Sequence, residues 1–272
     1  MNLEFLFWFF LIGIIIATVQ DLKRREIDFW LCKILLFGGI SFIIFYSILN
    51  QSLIPIIYLA LSLIILFALK NIFYQSRVFA GGDANLLFSL SALFVGITAI
   101  GTITNILLYV LFLMIAGAIY GLISLIYIYM KNFKKTNKKL APKLKKIKYN
   151  AILLSSVLLA LLFRIDIIFP TIGVLLAIYP LLYLFSKTLE EELMIVNKKP
   201  AELQEGDWLA ERINLKNKTI EYSWDGLSKE DIKDIKKESK KVKVKNGLPF
   251  APAFLIAHIL YWLFKDSIIG IF

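Results

Sequence analysis

Apolar residues in this chain gather in long runs separated by short polar breaks. The first run covers about Leu3 to Gln20 and stops at Asp-Leu-Lys-Arg-Arg-Glu, residues 21–26. A second covers about Phe29 to Leu49, and an Asn50-Gln51-Ser52 turn leads to a third at about Leu53 to Leu69. The loop from Lys70 to Gly82 follows, ending in Ala80-Gly81-Gly82-Asp83. From Ala84 to Met130 the chain is apolar for 47 residues, too long for one helix, and a break near Gly101-Thr102 predicts two spans. Ala151 to Ser186 predicts two short spans divided near Arg164-Ile165-Asp166, and Pro249 to about Phe264 predicts a last one. Runs of this kind approach or exceed the ~20 residues that cross a bilayer as a helix. No internal repeat is visible.

Residues 187–247 have another character, rich in Lys and Glu, with Gly206-Asp207 and Asp225-Gly226 as turn signals. Alternation around Lys218 to Trp224 predicts a short strand. Ser228-Lys229-Glu230-Asp231 ahead of Ile232 and Ile235 predicts a capped amphipathic helix. The expected organisation is a transmembrane core at 1–186, a small soluble domain at 187–247 and a final transmembrane helix at 248–272. The fold class is all-α polytopic membrane protein, with about eight transmembrane helices (six as the lower count) and a small α+β cytoplasmic domain.

Composition agrees. The chain is 59% hydrophobic, above the ~45–50% of ordinary soluble domains. Its net charge of +11 suggests nucleic-acid binding at first sight, but the Lys and Arg residues flank apolar spans. There they act as topology signals and as contacts to anionic lipid headgroups, so membrane lipids rather than nucleic acid are the expected partners. Nine lysines lie between Lys131 and Lys148. With the N-terminus outside, the loops at 21–28, 70–82 and 131–148 and the domain at 187–247 all fall inside, while the outside turns carry only Arg164. The first run is preceded by Glu4 and followed by no small-residue cleavage site, so it reads as a retained helix of a multi-pass cell-membrane protein.

Chemistry inside a membrane needs polar groups at helix ends or facing water, because charge in hydrocarbon is costly. The chain has one cysteine, Cys32, and one histidine, His258. An internal disulfide is excluded, and neither a zinc site nor a serine-histidine pair can be assembled. No metal and no cofactor is expected. Carboxylates remain. Asp21 closes the first span and Asp83 opens the fourth, at one depth on the inside face. Two carboxyls sharing a proton can activate a water between them and polarise a carbonyl. Gly81 and Gly82 admit close approach of an extended backbone, and Asn85 is near by.

Plainer roles stand beside these. Asp83 also reads as a helix N-cap, and Asp21 as a partner of Lys23, Arg24 or Arg25. Asp28 reads as the cap of the second span, Asp166 as a solvated partner of Arg164, and His258 as a packed core histidine. Trp8, Trp30 and Trp262 read as interfacial anchors.

At these residues the chain resembles the type IV prepilin peptidase family of GxGD membrane aspartic proteases, and most closely its archaeal preflagellin peptidase branch. The resemblance is carried by Gln20-Asp21 through Ile27-Asp28, by Ala80-Gly81-Gly82-Asp83-Ala84-Asn85, by Gln204-Glu205-Gly206-Asp207-Trp208-Leu209-Ala210, and by Asn246 through Phe254. It implies that Asp21 and Asp83 are catalytic, and that pilin-like or flagellin-like precursors are cut behind a basic leader at the cytoplasmic face. Ala80 stands where the family has its first glycine, and the spans at 151–186 are additional to the six-helix pattern. The paired-cysteine zinc motif of many bacterial members is absent, as is a methyl-donor signature, so no N-methyltransferase activity is expected.

Two other readings compete. An ion- or proton-coupled membrane transporter could use Asp21 and Asp83 as ion sites, but predicts inverted repeats and carboxylates at mid-membrane. An assembly platform would recruit a partner through 187–247, with both aspartates only capping helices.

Overall fold

A computed structural model of the chain describes residues 3–76, 78–145, 149–161, 168–203, 206–215, 218–221, 226–238, 241–245 and 247–269. It divides into two units, Met1–Leu122 with Leu248–Phe272, and Ile123–Gly247.

The first unit opens with three long helices, α1 (Leu3–Arg24), α2 (Phe29–Leu49) and α3 (Ile54–Gln75). α2 coincides with its predicted run, while α1 and α3 continue past theirs to Arg24 and Gln75, so the expected loop at 70–82 is helical in its first part. On α1 the buried residues Leu6, Phe10, Ile14 and Ala17 recur at helical spacing, and the stripe continues into buried Asp21. Opposite faces stay apolar and exposed, as at Ile12, Phe37 and Ile64. Such an exterior suits lipid rather than water.

The segment after Asp83 departs from expectation. In place of a span that breaks near Gly101-Thr102, the chain forms a short helix α4 (Gly81–Ser89) and a 3₁₀ turn at Ser91–Phe94. A single long helix, α5 (Ala99–Lys131), follows, and Gly101 and Thr102 lie in its first turn. At 33 residues it is about 50 Å long at 1.5 Å per residue. A helix interrupted in an apolar core frees main-chain groups that need partners. Here side chains supply them. The Ser62 hydroxyl of α3 donates to the Ser91 carbonyl at 2.7 Å, and the Asn105 amide of α5 donates to the Phe94 carbonyl at 3.3 Å. Thr102 accepts from the Gly96 N–H at 3.0 Å and donates to the Thr98 carbonyl at 3.1 Å. The break is therefore built in, and α4 with its turn is too short to cross a bilayer.

Among the described residues, four helices are long and apolar enough to do so: Glu4–Arg24, Phe29–Leu49, Ile54–Gln75 and Ala99–Lys131. Ala251–Lys265 is a shorter apolar stretch within the last helix of the chain, Ala251–Ile269. This is a membrane protein, and its fold is mostly helical.

The second unit carries α6 (Phe133–Lys145), then α7 (Tyr149–Leu161) and α8 (Ile168–Leu189), which pack together. Two helices thus occupy the predicted pair at 151–186, while the Arg164–Asp166 turn lies outside the described residues. A small sheet follows, with β1 (Ile195–Lys198), β2 (Trp208–Leu209) and β5 (Val242–Lys245) in the antiparallel order β1-β5-β2. Val196 pairs with Val244 and Trp208 with Lys245. A hairpin of β3 (Ile213–Asn214) and β4 (Thr219–Ile220) and the helix α9 (Lys229–Glu238) complete the unit. β4 falls within the strand expected at 218–224, whose last three positions are outside the described residues.

In β5, Val242 and Val244 are buried while Lys243 and Lys245 face out. They meet Leu203, Leu209, Ile213, Ile220, Leu227, Ile232 and Ile235 in a core of their own. Gly206 and Gly226 both have positive φ, at 90° and 75°. Their turns interlock, because the Gly206 N–H donates to the Leu227 carbonyl and the Leu227 N–H to the Asp207 carbonyl, each at 2.9 Å. At α9 the expected cap is present as a reciprocal box. The Asp231 N–H donates to Ser228 Oγ at 3.1 Å, and the Ser228 N–H donates to Asp231 Oδ2 at 3.2 Å.

Candidate active site at the ends of α1 and α4

Asp21 sits one turn from the end of α1, where the buried stripe of that helix delivers it. Asp83 is in the first turn of α4. Both are buried, with 6% and 8% of their surface exposed. The two carboxyls are near enough for Asp83 to lie in the electrostatic field of Asp21. The pair that the sequence singled out is therefore brought together.

Asp83 is not the N-cap of α4. That position belongs to Ala80, whose backbone is extended (φ −69°, ψ 164°). Asp83 stands at the third helical position, and its carboxyl reaches back to the Ala80 main-chain amide. This is the helix-side half of a capping box, with a residue at N-cap that offers no hydroxyl in return.

Asp21 does not find its main partner among the neighbouring basic residues. Arg24 pairs instead with Asp28 at 2.7 Å, and the charge of Arg25 acts on Asp21. Asp21 Oδ2 accepts the Ala251 N–H at 2.9 Å, and the Phe250 amide is a second main-chain donor. Both amides lie at the start of helix α10 (Ala251–Ile269). Nothing in the sequence announced this contact, which joins residues 230 positions apart.

The turn between α1 and α2 is tightly sewn. Arg25 has a positive φ of 61°, a conformation that non-glycine residues adopt only at some cost. Gln20 Oε1 accepts the Asp28 N–H, and Gln20 Nε2 donates to Asp28 Oδ2, both at 3.0 Å. Trp30 Nε1 donates to the same oxygen at 3.1 Å. Asp28 holds the N-cap position of α2, but its carboxylate makes no capping hydrogen bond to the main chain of that helix. The hydrogen-bonded Arg24 guanidinium keeps the Asp28 carboxyl below the usual carboxylate range.

This turn meets the glycine loop directly. A Cβ on Gly82 would lie 3.3 Å from the Ile27 Cβ and 3.5 Å from its main-chain nitrogen. Gly82 is thus glycine partly for packing within the chain. Gly81 has room, with only Tyr74 at 3.7 Å. Gly81 is exposed, and Gly82 and Asn85 are half-buried.

The other polar residues take plainer places. His258 is fully buried, stacks on Phe7 with ring centroids 4.8 Å apart, and has Nε2 3.1 Å from the Phe7 carbonyl. Trp8 and Trp30 are exposed, while Trp262 stacks on Phe7. Among the described residues no three His, Cys, Asp or Glu side chains gather as metal ligands.

Residues 8–125 match the model of the type IV leader peptidase family. The matched stretch is 118 of the 272 residues. It takes in Asp21, the turn behind it, Asp83 and Asn85, and it ends well before α10. The match supports a peptidase of the leader peptidase type. No curated protein and no solved structure matches the chain.

Proposed function

We propose that the protein is an aspartic endopeptidase in which Asp21 and Asp83 are the catalytic pair. The observation that carries this reading is that two buried carboxyls, from separate helices, lie within each other's electrostatic reach inside the stretch matched to leader peptidases. Two carboxyls so placed hold one proton between them and a water in front. One takes a proton from the water as its oxygen attacks the scissile carbonyl carbon. The other gives its proton to the carbonyl oxygen, forming a neutral tetrahedral diol. Collapse of the diol breaks the C–N bond, and a proton passes to the departing nitrogen. The pair acts as a unit, so neither residue is assigned acid or base.

The substrates are precursors of pilin-like or flagellin-like proteins, cut between a basic leader and the apolar segment behind it. Exposed Gly81 and half-buried Gly82 and Asn85 border the approach to Asp83 and contact the substrate main chain. The basic loop at 21–28, next to Asp21, supports a cytoplasmic position for this edge of the membrane. The strand-bearing segment at 187–247 is a cytoplasmic domain.

The test is cleavage of a synthetic basic-leader precursor by the membrane-embedded protein. Asp21→Ala and Asp83→Ala should each abolish cleavage while the protein stays folded in the membrane. Near-normal cleavage by either variant overturns the pair.

A further inference from the structure

We propose that α10, which lies outside the stretch matched to the leader peptidase family, is a working part of the active site. Its first main-chain amide, that of Ala251, with the Phe250 amide just ahead of it, fixes the carboxylate of Asp21. This proposal rests on Asp21 being catalytic, as argued above, and adds what holds it in place.

The contact is direct, since Ala251 N–H donates to Asp21 Oδ2 at 2.9 Å in a buried setting, with the Phe250 amide beside it. A helix N-terminus leaves its first amides without partners inside the helix, and they carry partial positive charge. In an apolar interior such donors need an acceptor, and an ionised carboxylate is a strong one. Asp21 therefore does for α10 what a capping side chain does, across a separation of 230 residues. The reverse also holds. Two donors on a rigid helix restrict rotation of the Asp21 carboxylate about its own axis.

Packing keeps that helix start in register with the other aspartate. The Phe250 ring lies 5.3 Å from the ring of Phe79, which directly precedes Ala80 and the glycines. On its other side a Cβ at Gly117 of α5 would fall 2.7 Å from Phe250 Cζ, so a larger residue there would displace the ring. Phe250 is thus wedged between α5 and the loop that carries Asp83. Pro252 follows at the second helical position, where a missing amide hydrogen costs nothing. The chain thus omits a donor just after the two that it uses.

Two sets of variants test the proposal in the full-length protein in membranes. The first set uses stability alone. Asp21→Ala, Asp21→Asn and Asp83→Ala all lack an intact pair, so their differences report the contact to α10 and not catalysis. Asp21→Ala should unfold at a temperature about 4 °C or more below Asp83→Ala, because it strands buried amides. Asp21→Asn keeps an acceptor oxygen and should recover most of that loss. Equal unfolding temperatures for Asp21→Ala and Asp83→Ala overturn the proposal.

The second set uses rate. Ala251→Pro removes one amide hydrogen at a helical position that tolerates proline. It should lower kcat on the basic-leader precursor by on the order of tenfold to a hundredfold, with KM little changed. Ala251→Gly keeps the N–H and should retain a far larger share of kcat than Ala251→Pro. Equal kcat for these two variants also overturns the proposal. If Ala251→Pro does not fold, the stability set decides alone. Failure of the catalytic pair itself would look different, since Asp21→Ala and Asp83→Ala would then still cleave.

Discussion

Gly82 of α4 packs against Ile27 of the α1–α2 turn so closely that a Cβ at 82 would stand 3.3 Å from the Ile27 Cβ. The two motifs that carry Asp21 and Asp83 touch at this point. Gly82→Ala should push them apart by a few tenths of an ångström, and Gly82→Val by more. Cleavage should fall by about tenfold for Ala and by on the order of a hundredfold for Val, as expected for misplaced reacting groups. Ile27→Gly, which removes the opposing Cβ, should recover part of the loss in the Gly82→Ala background. A double-mutant cycle on cleavage rate measures this coupling, and strict additivity would show that the contact is unimportant.

Gln20 and Asp28 hold the same turn from inside, through one main-chain and one side-chain hydrogen bond, each 3.0 Å long. Gln20→Leu keeps the bulk and removes both. At about 1 kcal/mol net per hydrogen bond in a half-exposed setting, the loss should be about 1–2 kcal/mol. Thermal unfolding in detergent or nanodiscs should show a fall of several degrees, about 2–4 °C per kcal/mol for a chain of this size. An unchanged unfolding temperature would mean that water replaces Gln20 without cost.

Much of this arrangement was legible in the sequence, and the reasons differ by element. Helices α1 to α3 follow their apolar runs because lipid-facing and core-facing residues are both apolar. Asp21 was legible as the carboxylate that closes the first apolar run, and the structure puts it on the buried stripe of Leu6, Phe10, Ile14 and Ala17. The segment after Asp83 was misread because hydropathy counts apolar residues and is blind to main-chain satisfaction. Ser89, Ser91, Gly96 and Thr98 were the available signal, but their meaning depends on Ser62 and Asn105 arriving from other helices. The same holds for Asp21 and Ala251. A contact spanning most of the chain leaves no local pattern, and its acceptor reads equally well as a partner for nearby Arg24 and Arg25. In the second unit, Ser228 and Asp231 were legible because a capping box is wholly local.

Tyr109 on α5 presents a different case, a fully buried side chain whose hydroxyl has no hydrogen-bond partner among the described residues. Its ring packs between Phe94, at 5.0 Å, and Tyr261, at 5.7 Å. Removing an unsatisfied buried hydroxyl while keeping the ring relieves a desolvation cost of about 1–3 kcal/mol. Tyr109→Phe should therefore unfold at the wild-type temperature or above it. Tyr109→Ala should be less stable by about 3–5 kcal/mol, because it opens a cavity in the same cluster. Destabilisation by the Phe variant would show that the hydroxyl is bonded to a water in the membrane.

The Arg24–Asp28 pair gives the turn a dependence on pH with a definite sign. The folded Asp28 carboxyl is held below its ordinary value of 3.8 by hydrogen bonding to Arg24. Its contribution is whole above that ordinary value and disappears as pH falls through the lower folded one. Neutral pH should thus find the turn intact, and acid below about pH 4 should loosen it. Asp28→Asn, which carries no titrating proton, should flatten this acid limb in a plot of unfolding temperature against pH. A limb of unchanged slope would place its origin in other carboxylates.

The small core of the second unit should fail in a graded way. Ile235 is fully buried among Leu203, Leu227, Val242 and Val244, and its helix is capped by Ser228 and Asp231. So few apolar side chains leave little reserve, since a domain of about 60 residues buries a smaller share of its surface than a larger one does, about 60%. Ser228→Ala removes one cap and should cost about 1 kcal/mol. Ile235→Ala removes most of a buried side chain and should cost about 2–5 kcal/mol, enough to unfold the unit for a large part of the time. Trypsin is a suitable probe, because the unit is rich in lysines that its fold protects from cleavage. Cleavage between Lys198 and Lys245 should quicken modestly in Ser228→Ala and strongly in Ile235→Ala. Lys243→Ala, on the outward face of β5, should cut at the wild-type rate at its remaining sites. If Ile235→Ala resists trypsin as well as the wild type, these residues do not form a core of their own.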